Sequence, residues 1–309
     1  MGCAGARLRP ALALAMATSQ SMTFAERRWR SRDGLSLFAR DYAGADGDAR
    51  LPIICLHGLT RNSKDFADVA PWLAATGRRV LVPDVRGRGR SDRDPDPSHY
   101  APKVYARDVL DLMQSLGLAR AVFLGTSMGG IITMTMMAVR PSAVSAAILN
   151  DVGPEVAPEG IARIMTYVGQ KVEVRDWSEA ADYVRRTNGA AFPDYDEADW
   201  DRFARNVFRD NDGVPELDYD ARILLPLLQL KPGQHRRLAW FLFRWLARKR
   251  PTLLIRGADS DVISAAIADR MALKAPRLRR VEVPGVGHAP MLTEQAAIDA
   301  ISHFLQTVP

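Results

Sequence analysis

Short apolar runs alternate with helical segments along most of this chain, and the alternation limits the folds it can adopt. The runs "LPIICLHG" (residues 51–58), "AVFLG" (121–125) and "PTLLIRG" (251–257) are predominantly apolar, the pattern of strands covered on both faces. Between them, segments such as "KVYARDVLDLMQSLGL" (103–118) space their apolar residues at helical intervals. The alternation predicts an α/β fold with a mostly parallel central sheet and helices on both faces.

The beginning of the chain departs from this alternation. "FAERRWRSRDGLSLFARDY" (24–42) predicts a hairpin that adds antiparallel strands at one edge of the sheet. We interpret residues 1–22 as a disordered tail or a mis-assigned start, so that Met22 opens the folded part. A cleaved secretion signal is the alternative interpretation of those residues.

A second departure lies between the predicted strand "VSAAILNDVGP" (144–154) and "PTLLIRG". Residues 154–245 hold helical patterns broken by prolines, which predicts a helical cap inserted into a core made of residues 23–153 and 246–309. The segment "HRRLAWFLFRWLARKRP" (235–251) mixes aromatic and basic residues. We interpret it as a cap helix that buries its aromatics on the active-site mouth, with a membrane-surface helix as the alternative.

Composition narrows the functional classes. Hydrophobic residues make up 47% and charged residues 25% of the 309 residues, which is typical of a soluble globular enzyme. The net charge is +6, but the arginines are scattered, so we expect no nucleic-acid partner. No apolar run reaches the ~18 residues of a membrane span, and two cysteines form no disulfide framework. We therefore expect a cytoplasmic protein without stable membrane insertion; its oligomeric state is not predicted.

The segment "GTSMG" (125–129) points to nucleophilic chemistry. It fits the pattern G-x-S-x-G and lies between a predicted strand and a predicted helix. In such a turn Ser127 has a strained backbone and its Oγ projects above the sheet. Side chains two residues to either side would collide, which explains Gly125 and Gly129. Backbone N–H groups at the start of the helix can stabilise an oxyanion.

A serine nucleophile needs a general base, and the chain has five histidines. His288, in "VPGVGHAPM", directly follows the last predicted strand, at the carboxyl edge where α/β sheets place active sites. His57, in "CLHGLT", is its rival at another strand end, although it could equally shape an oxyanion loop. The others occur in segments where surface or packing roles suffice: His99, His235 and His303.

From about residue 24 to the end, the chain resembles α/β-hydrolase-fold enzymes of the capped esterase, lactonase and C–C hydrolase kind. The matching pieces are "LHGLT", "PDVRGRGRSD", "GTSMGG" and "PGVGHAPMLTEQ". The resemblance implies that Ser127 is the nucleophile and His288 the base. It also implies an oxyanion hole formed by the backbone N–H groups of Leu59 and Met128.

The same resemblance implies a structural role for the segment "PDVRGRGRSD" (83–92). Asp84, Arg86 and Ser91 would organise a loop near the site. They would not take part in the reaction.

The acid of the catalytic set has two candidates. Many members of the family carry it three residues after a glycine that ends the penultimate strand, but here that position, after Gly257, is Ser260. Asp261 lies beside it, and a small loop adjustment could bring it to the histidine. Other members carry the acid after the strand that follows the nucleophile helix, where this chain has Asp151. We favour Asp151, with Asp261 as the alternative.

No zinc-binding, dinucleotide or Walker motif is present, so we expect neither a metal nor a cofactor. A serine at position 127 argues against dehalogenases and epoxide hydrolases, which use aspartate there. The prediction is a serine hydrolase that cleaves a small-molecule carboxylic ester, thioester or lactone through an acyl-enzyme on Ser127. The alternatives are a C–C bond hydrolase, a cofactor-free oxygenase or perhydrolase, and a non-catalytic small-molecule receptor.

Overall fold

The structure is a computed structural model that describes residues 23–44, 50–229 and 233–309. Residues 1–22, which the sequence suggested to be a tail or a mis-assigned start, lie outside the described residues. Within the described part, eight strands form one sheet and two more form a separate hairpin. The strands are β1 (Ala25–Arg30), β2 (Ser36–Tyr42), β3 (Ile53–Leu56), β4 (Val80–Asp84), β5 (Ala121–Thr126), β6 (Val144–Asn150), β7 (Phe208–Asn211), β8 (Val214–Leu217), β9 (Thr252–Gly257) and β10 (Arg279–Val283).

The large sheet has the strand order β1-β2-β4-β3-β5-β6-β9-β10. β1 pairs antiparallel with β2, and β2 pairs antiparallel with β4. Every other neighbouring pair in this sheet is parallel. The predicted fold class, a mostly parallel sheet with an antiparallel hairpin at one edge, is confirmed.

Helices cover both faces of the sheet. The side chains of β3 alternate between two apolar clusters, with Ile54 and Leu56 in one and Ile53 and Cys55 in the other. This alternation explains why the strand is apolar throughout, because each face packs against helices. The helices that cover the sheet are α1 (Val69–Ala75), α2 (Pro102–Ser115), α3 (Met128–Val139), α9 (Ala265–Lys274) and α10 (Gln295–Leu305). Among the described residues, no helix combines the length and apolarity needed to cross a membrane.

The segment between β6 and β9 is largely helical, as the sequence predicted, and it also contains the β7–β8 hairpin. Its helices are α4 (Pro158–Tyr167), α5 (Trp177–Asn188), α6 (Glu197–Val207), α7 (Leu225–Leu228) and α8 (Arg236–Lys249). α5 and α6 share an apolar cluster of their own, built around Phe192, Trp200 and Phe203. Members of this cluster, among them Phe192 and Phe203, line a cavity together with residues that follow β3 and β5.

Candidate active site

Ser127 lies at the sharp turn between β5 and α3. Its φ of 51° falls in the left-handed region, where a non-glycine residue is strained. A Cβ on Gly125 would lie 2.4 Å from the carbonyl carbon of Gly129, and a Cβ on Gly129 would lie 2.0 Å from the Leu56 carbonyl oxygen. Both glycines are therefore required by the close approach of the backbone around the serine.

His288 and Asp151 continue from Ser127 in one hydrogen-bonded chain. His288 Nε2 lies 3.0 Å from Ser127 Oγ, and His288 Nδ1 lies 2.6 Å from Asp151 Oδ2. Asp151 directly follows β6 and is fully buried. Its other carboxylate oxygen, Oδ1, accepts a hydrogen bond of 3.0 Å from the Gly257 N–H at the end of β9. The structure thus brings together three of the residues that the sequence singled out.

Asp261, the alternative acid, is engaged elsewhere. Its carboxylate accepts hydrogen bonds from the Arg163 guanidinium, at 2.5 Å from Nε and 2.9 Å from Nη2. Burial raises the pKa of Asp261, but the hydrogen bond and charge of Arg163 outweigh it and hold that pKa below its ordinary value. The neighbouring Ser260 instead points to the site, where its Oγ donates to Asp151 Oδ2 at 2.5 Å.

The two backbone N–H groups implied for the oxyanion hole flank the serine. Leu59 lies in the loop after β3 and lines the cavity beside Ser127, whereas Met128 is the first residue of α3. Among the described residues, neither N–H donates to a protein acceptor. Both donors are therefore available for an oxygen that develops negative charge next to Ser127 Oγ.

Arg88 connects these two residues, and the sequence did not reveal it. Its fully buried guanidinium donates from Nε to the Leu59 carbonyl at 3.0 Å and approaches Met128 Sδ with Nη2 at 3.6 Å. Nη1 donates to the Tyr105 hydroxyl at 3.0 Å and to the Arg86 carbonyl at 2.8 Å. The signal that could have found it is the second of the three arginines in "PDVRGRGRSD", which lies between Gly87 and Gly89.

His57, the rival base, does not contact Ser127. Its Nε2 accepts a hydrogen bond of 3.0 Å from the Val85 N–H, and its Nδ1 lies 2.8 Å from the Gly58 carbonyl. Complete burial lowers the pKa of His57 to about 3, so the ring is neutral and donates from Nδ1. His57 therefore connects the loop that carries Leu59 (residues 57–60, the oxyanion loop) to the end of β4.

The loop after β4 is held by its own polar residues, as the sequence implied. Asp84 accepts from the N–H groups of Ser63 at 2.6 Å and Arg90 at 2.9 Å, and burial raises the pKa of this carboxyl. Ser91 Oγ donates to the Asp84 carbonyl at 2.6 Å. Arg86 binds three carboxylates: Asp33, Asp94 and Asp108.

One group of ligand-type side chains within the described residues has a spacing that could suit a metal ion. It consists of Asp33, Asp94 and His99. Two of its carboxylates already bind the Arg86 guanidinium, at 2.6 Å and 2.5 Å. The Arg86 guanidinium therefore already supplies the positive charge that these carboxylates bind. None of the three residues lines the cavity that contains Ser127.

The cavity at Ser127 is roofed by the segment between β6 and β9. Ser127 and His288 lie at its base together with the oxyanion loop. Apolar and polar side chains from the roof face the same space, among them Val184, Asn188, Phe192, Phe203, Val207 and Tyr219. The arrangement is that of a small-molecule pocket with a few polar groups around one nucleophile.

The prediction that the segment 235–251 is a cap helix with its aromatics buried on the active-site mouth was wrong. α8 does not line the cavity but packs alongside α3. Its Phe243 and Leu246 are fully buried in the same apolar cluster as Ile54 and Leu56 of β3. Phe241, on its outer side, is 55% exposed. The proposed boundary between cap and core at residues 245 and 246 falls within this helix.

Comparisons with known proteins agree with this geometry. Residues 52–295 match the sequence family described as alpha/beta hydrolase fold. The 3-hydroxybutyrate-oligomer hydrolase of Cupriavidus necator is 33% identical over 267 residues, which cover 84% of this chain and 90% of that protein.

Solved structures resemble the chain as well. An alpha/beta hydrolase from Novosphingobium aromaticivorans is 41% identical, with a TM-score of 0.84 and coverage of 92% of this chain and 99% of that one. E-2-(acetamidomethylene)succinate hydrolase is 23% identical, with a TM-score of 0.73 and coverage of 92% and 99%. At that identity the second likeness shows the fold alone.

Proposed function

The chain belongs to the α/β-hydrolase fold family and is a hydrolase, and from this premise we propose that it cleaves an ester, thioester or lactone through an acyl-enzyme on Ser127. The observation that carries the proposal is the relay of hydrogen bonds at the base of the cavity. His288 Nε2 is 3.0 Å from Ser127 Oγ, and His288 Nδ1 is 2.6 Å from Asp151 Oδ2. A nucleophile, a base and an orienting acid are the parts that acyl transfer needs.

In the first half of the reaction, Ser127 Oγ attacks the carbonyl carbon while His288 Nε2 takes the hydroxyl proton. The carbonyl oxygen becomes an oxyanion that accepts hydrogen bonds from the N–H groups of Leu59 and Met128. The intermediate collapses as His288 gives its proton to the leaving alcohol or thiol. In the second half, His288 takes a proton from the water that attacks the carbonyl carbon of the acyl-enzyme. It then gives this proton to Ser127 Oγ as the bond between the acyl group and the serine breaks and the acid leaves.

Asp151 supports both halves by stabilising the imidazolium of His288. Its carboxylate is fully buried but accepts from three donors: the His288 ring, the Gly257 N–H and the Ser260 hydroxyl. These three hydrogen bonds fix the orientation of the carboxylate toward the His288 ring. We propose Asp151 as the acid of the set, with Asp261 held in a separate ion pair by Arg163.

Among possible substrates, we propose short oligomers of a hydroxy acid. The Cupriavidus necator relative is named for hydrolysis of 3-hydroxybutyrate oligomers, and this chain covers 90% of it. The cavity offers both apolar walls and several hydroxyl, amide and charged groups, which suits a chain that alternates methyl-bearing carbons with ester oxygens. The part of the segment between β6 and β9 that lines the cavity, which includes Asn188, Phe192 and Tyr219, would form the cap that encloses such a substrate.

Labelling with a fluorophosphonate probe tests the nucleophile. We expect stoichiometric labelling of the wild-type protein and no labelling of Ser127→Ala. The wild-type protein should also release a burst of p-nitrophenol from p-nitrophenyl butyrate. Ser98→Ala, which removes the hydroxyl of an exposed residue in the 3-10 turn Pro97–His99, is the matched control and should label fully. Equal labelling of Ser127→Ala, or no labelling of folded wild-type protein, would contradict the proposal and favour a non-catalytic receptor.

A further inference from the structure

Arg61 lies at the nucleophile without taking part in the proposed reaction. It follows the oxyanion loop, and its side chain lines the cavity with only 14% of its surface exposed. A Cβ placed on Gly58 would lie 3.3 Å from Arg61 Cγ and 3.9 Å from Ser127 Cβ. The arginine stem and the serine therefore both lie beside Gly58.

Within the described part of the chain, only one edge of the Arg61 guanidinium, formed by Nε and Nη2, donates hydrogen bonds. Nε lies 2.9 Å from both carboxylate oxygens of Asp65, and Nη2 lies 2.6 Å from Oδ1. A guanidinium carries five N–H donors in a planar fork, so this pairing leaves both hydrogens of Nη1 and one of Nη2. Among the described residues, Nη1 has no acceptor.

Two contacts hold that unused end in position. The guanidinium lies over the ring of Phe203, 4.0 Å from its centroid, and Asp65 fixes the rotation of the guanidinium in its own plane. Phe203 itself is buried in the apolar cluster of the cap segment. Arg61 is therefore a rigid cation at the meeting point of the oxyanion loop and the roof of the cavity, where little solvent competes for its donors.

We propose that the free Nη1–Nη2 end of Arg61 binds a carboxylate of the substrate and selects monoanionic esters over neutral ones. The inference rests on the proposed function and deepens it, because a linear hydroxy-acid oligomer ends in a free carboxylate. Carboxylate oxygens match the spacing of the two nitrogens and form charge-assisted hydrogen bonds. Asp65, through its hydrogen bonds to Nε and Nη2, holds the guanidinium in the orientation that leaves this end free.

Two substrates that differ only in this charge provide the test: the linear dimer of 3-hydroxybutyrate and the same dimer with its terminal carboxylate converted to a primary amide. For the wild type we expect a clear preference for the acid in kcat/KM. Arg61→Met should raise KM for the acid about tenfold to a hundredfold, the range for a lost hydrogen bond to a charged group, with little change for the amide. Arg61→Lys should fall between the two.

Arg205→Met is the matched control. Arg205 also pairs with an aspartate four residues away, Asp201, and lies over an aromatic ring, Trp177, but it does not line the cavity. We expect this variant to handle both substrates like the wild type.

The outcomes separate the two proposals. If Arg61→Met slows hydrolysis of the acid and the amide equally, or slows neither, carboxylate recognition by Arg61 is refuted while the hydrolase stands. If the wild-type protein cleaves neither dimer nor p-nitrophenyl butyrate and takes no fluorophosphonate label, the proposed function itself has failed.

Discussion

The Ser260 hydroxyl donates a hydrogen bond of 2.5 Å to Oδ2 of Asp151, the same oxygen that faces His288 Nδ1. Ser260 occupies the position, three residues after Gly257, where many members of the family carry their acid. Asp151 follows β6, and β6 pairs in parallel with β9, which ends at Gly257. The ends of these neighbouring parallel strands therefore place both side chains side by side, and the serine at one position hydrogen-bonds to the aspartate at the other.

Replacing the acid should remove most of the activity. We expect Asp151→Asn to lower kcat for p-nitrophenyl butyrate about 10⁴-fold, because the amide leaves the imidazolium unstabilised and allows the wrong tautomer of His288. Asp261→Asn, which only breaks the ion pair with Arg163, should stay close to wild type. The opposite ranking of the two variants would make Asp261 the acid.

Exchanging the two positions should restore part of what the single change removes. Asp151→Ser alone leaves His288 without an acid, whereas Asp151→Ser combined with Ser260→Asp places a carboxylate on the neighbouring strand end. We expect the double variant to exceed the single variant at least about tenfold in kcat, since an ionic hydrogen bond to the imidazolium returns. Equal kcat values for the two proteins would show that the strand ends are not interchangeable.

Arg88 should act as a positioning residue for the oxyanion hole. It donates to the Leu59 carbonyl at 3.0 Å, so its loss frees the loop that carries one of the two N–H donors. For Arg88→Met we expect kcat to fall about 10²-fold with KM nearly unchanged, as for the removal of one oxyanion donor. Arg88→Lys should recover part of kcat.

The thermal midpoints of the Arg88 variants distinguish positioning from a purely structural role. Because the side chain is fully buried, both variants are expected to be less stable than the wild type. If kcat per labelled site follows the loss of stability, or if KM rises instead, the positioning role is wrong.

His57 should make the stability of the fold sensitive to acid. Burial lowers its folded pKa to about 3, whereas in the unfolded chain it titrates near the ordinary 6.5. Between these values the unfolded state binds the extra proton, so stability is fully present above pH 6.5 and is lost as the pH falls. We expect the difference in unfolding free energy between wild type and His57→Gln to shrink by about 2–3 kcal/mol from pH 7 to pH 4.5.

Urea unfolding at several pH values measures this difference. Glutamine can still donate to the Gly58 carbonyl and accept from the Val85 N–H, so the two proteins differ mainly in the titrating group. A difference that stays constant across the range would mean that His57 is not held neutral by the fold.

What the sequence determined by itself is local. The continuous apolar strands predict a sheet that is covered on both faces. The glycines around Ser127 predict a sharp turn in which backbone segments approach too closely for side chains. The position of His288 after the last strand follows from the same reasoning, because strand ends in a parallel sheet share one edge. These features could be predicted because each depends on residues within a few positions of one another.

The tertiary structure alone decided what depends on the order of strands. Asp151 and His288 are 137 residues apart, and the sequence favoured Asp151 but left Asp261 open as the alternative. In the structure the Asp151 carboxylate lies at His288 Nδ1, beside the end of the neighbouring strand β9, whereas the Asp261 carboxylate pairs with Arg163. The contacts of Arg61 and Arg88 and the packing of α8 against α3 were hidden for the same reason: a side chain's partners are set by packing between distant segments, which local periodicity does not encode.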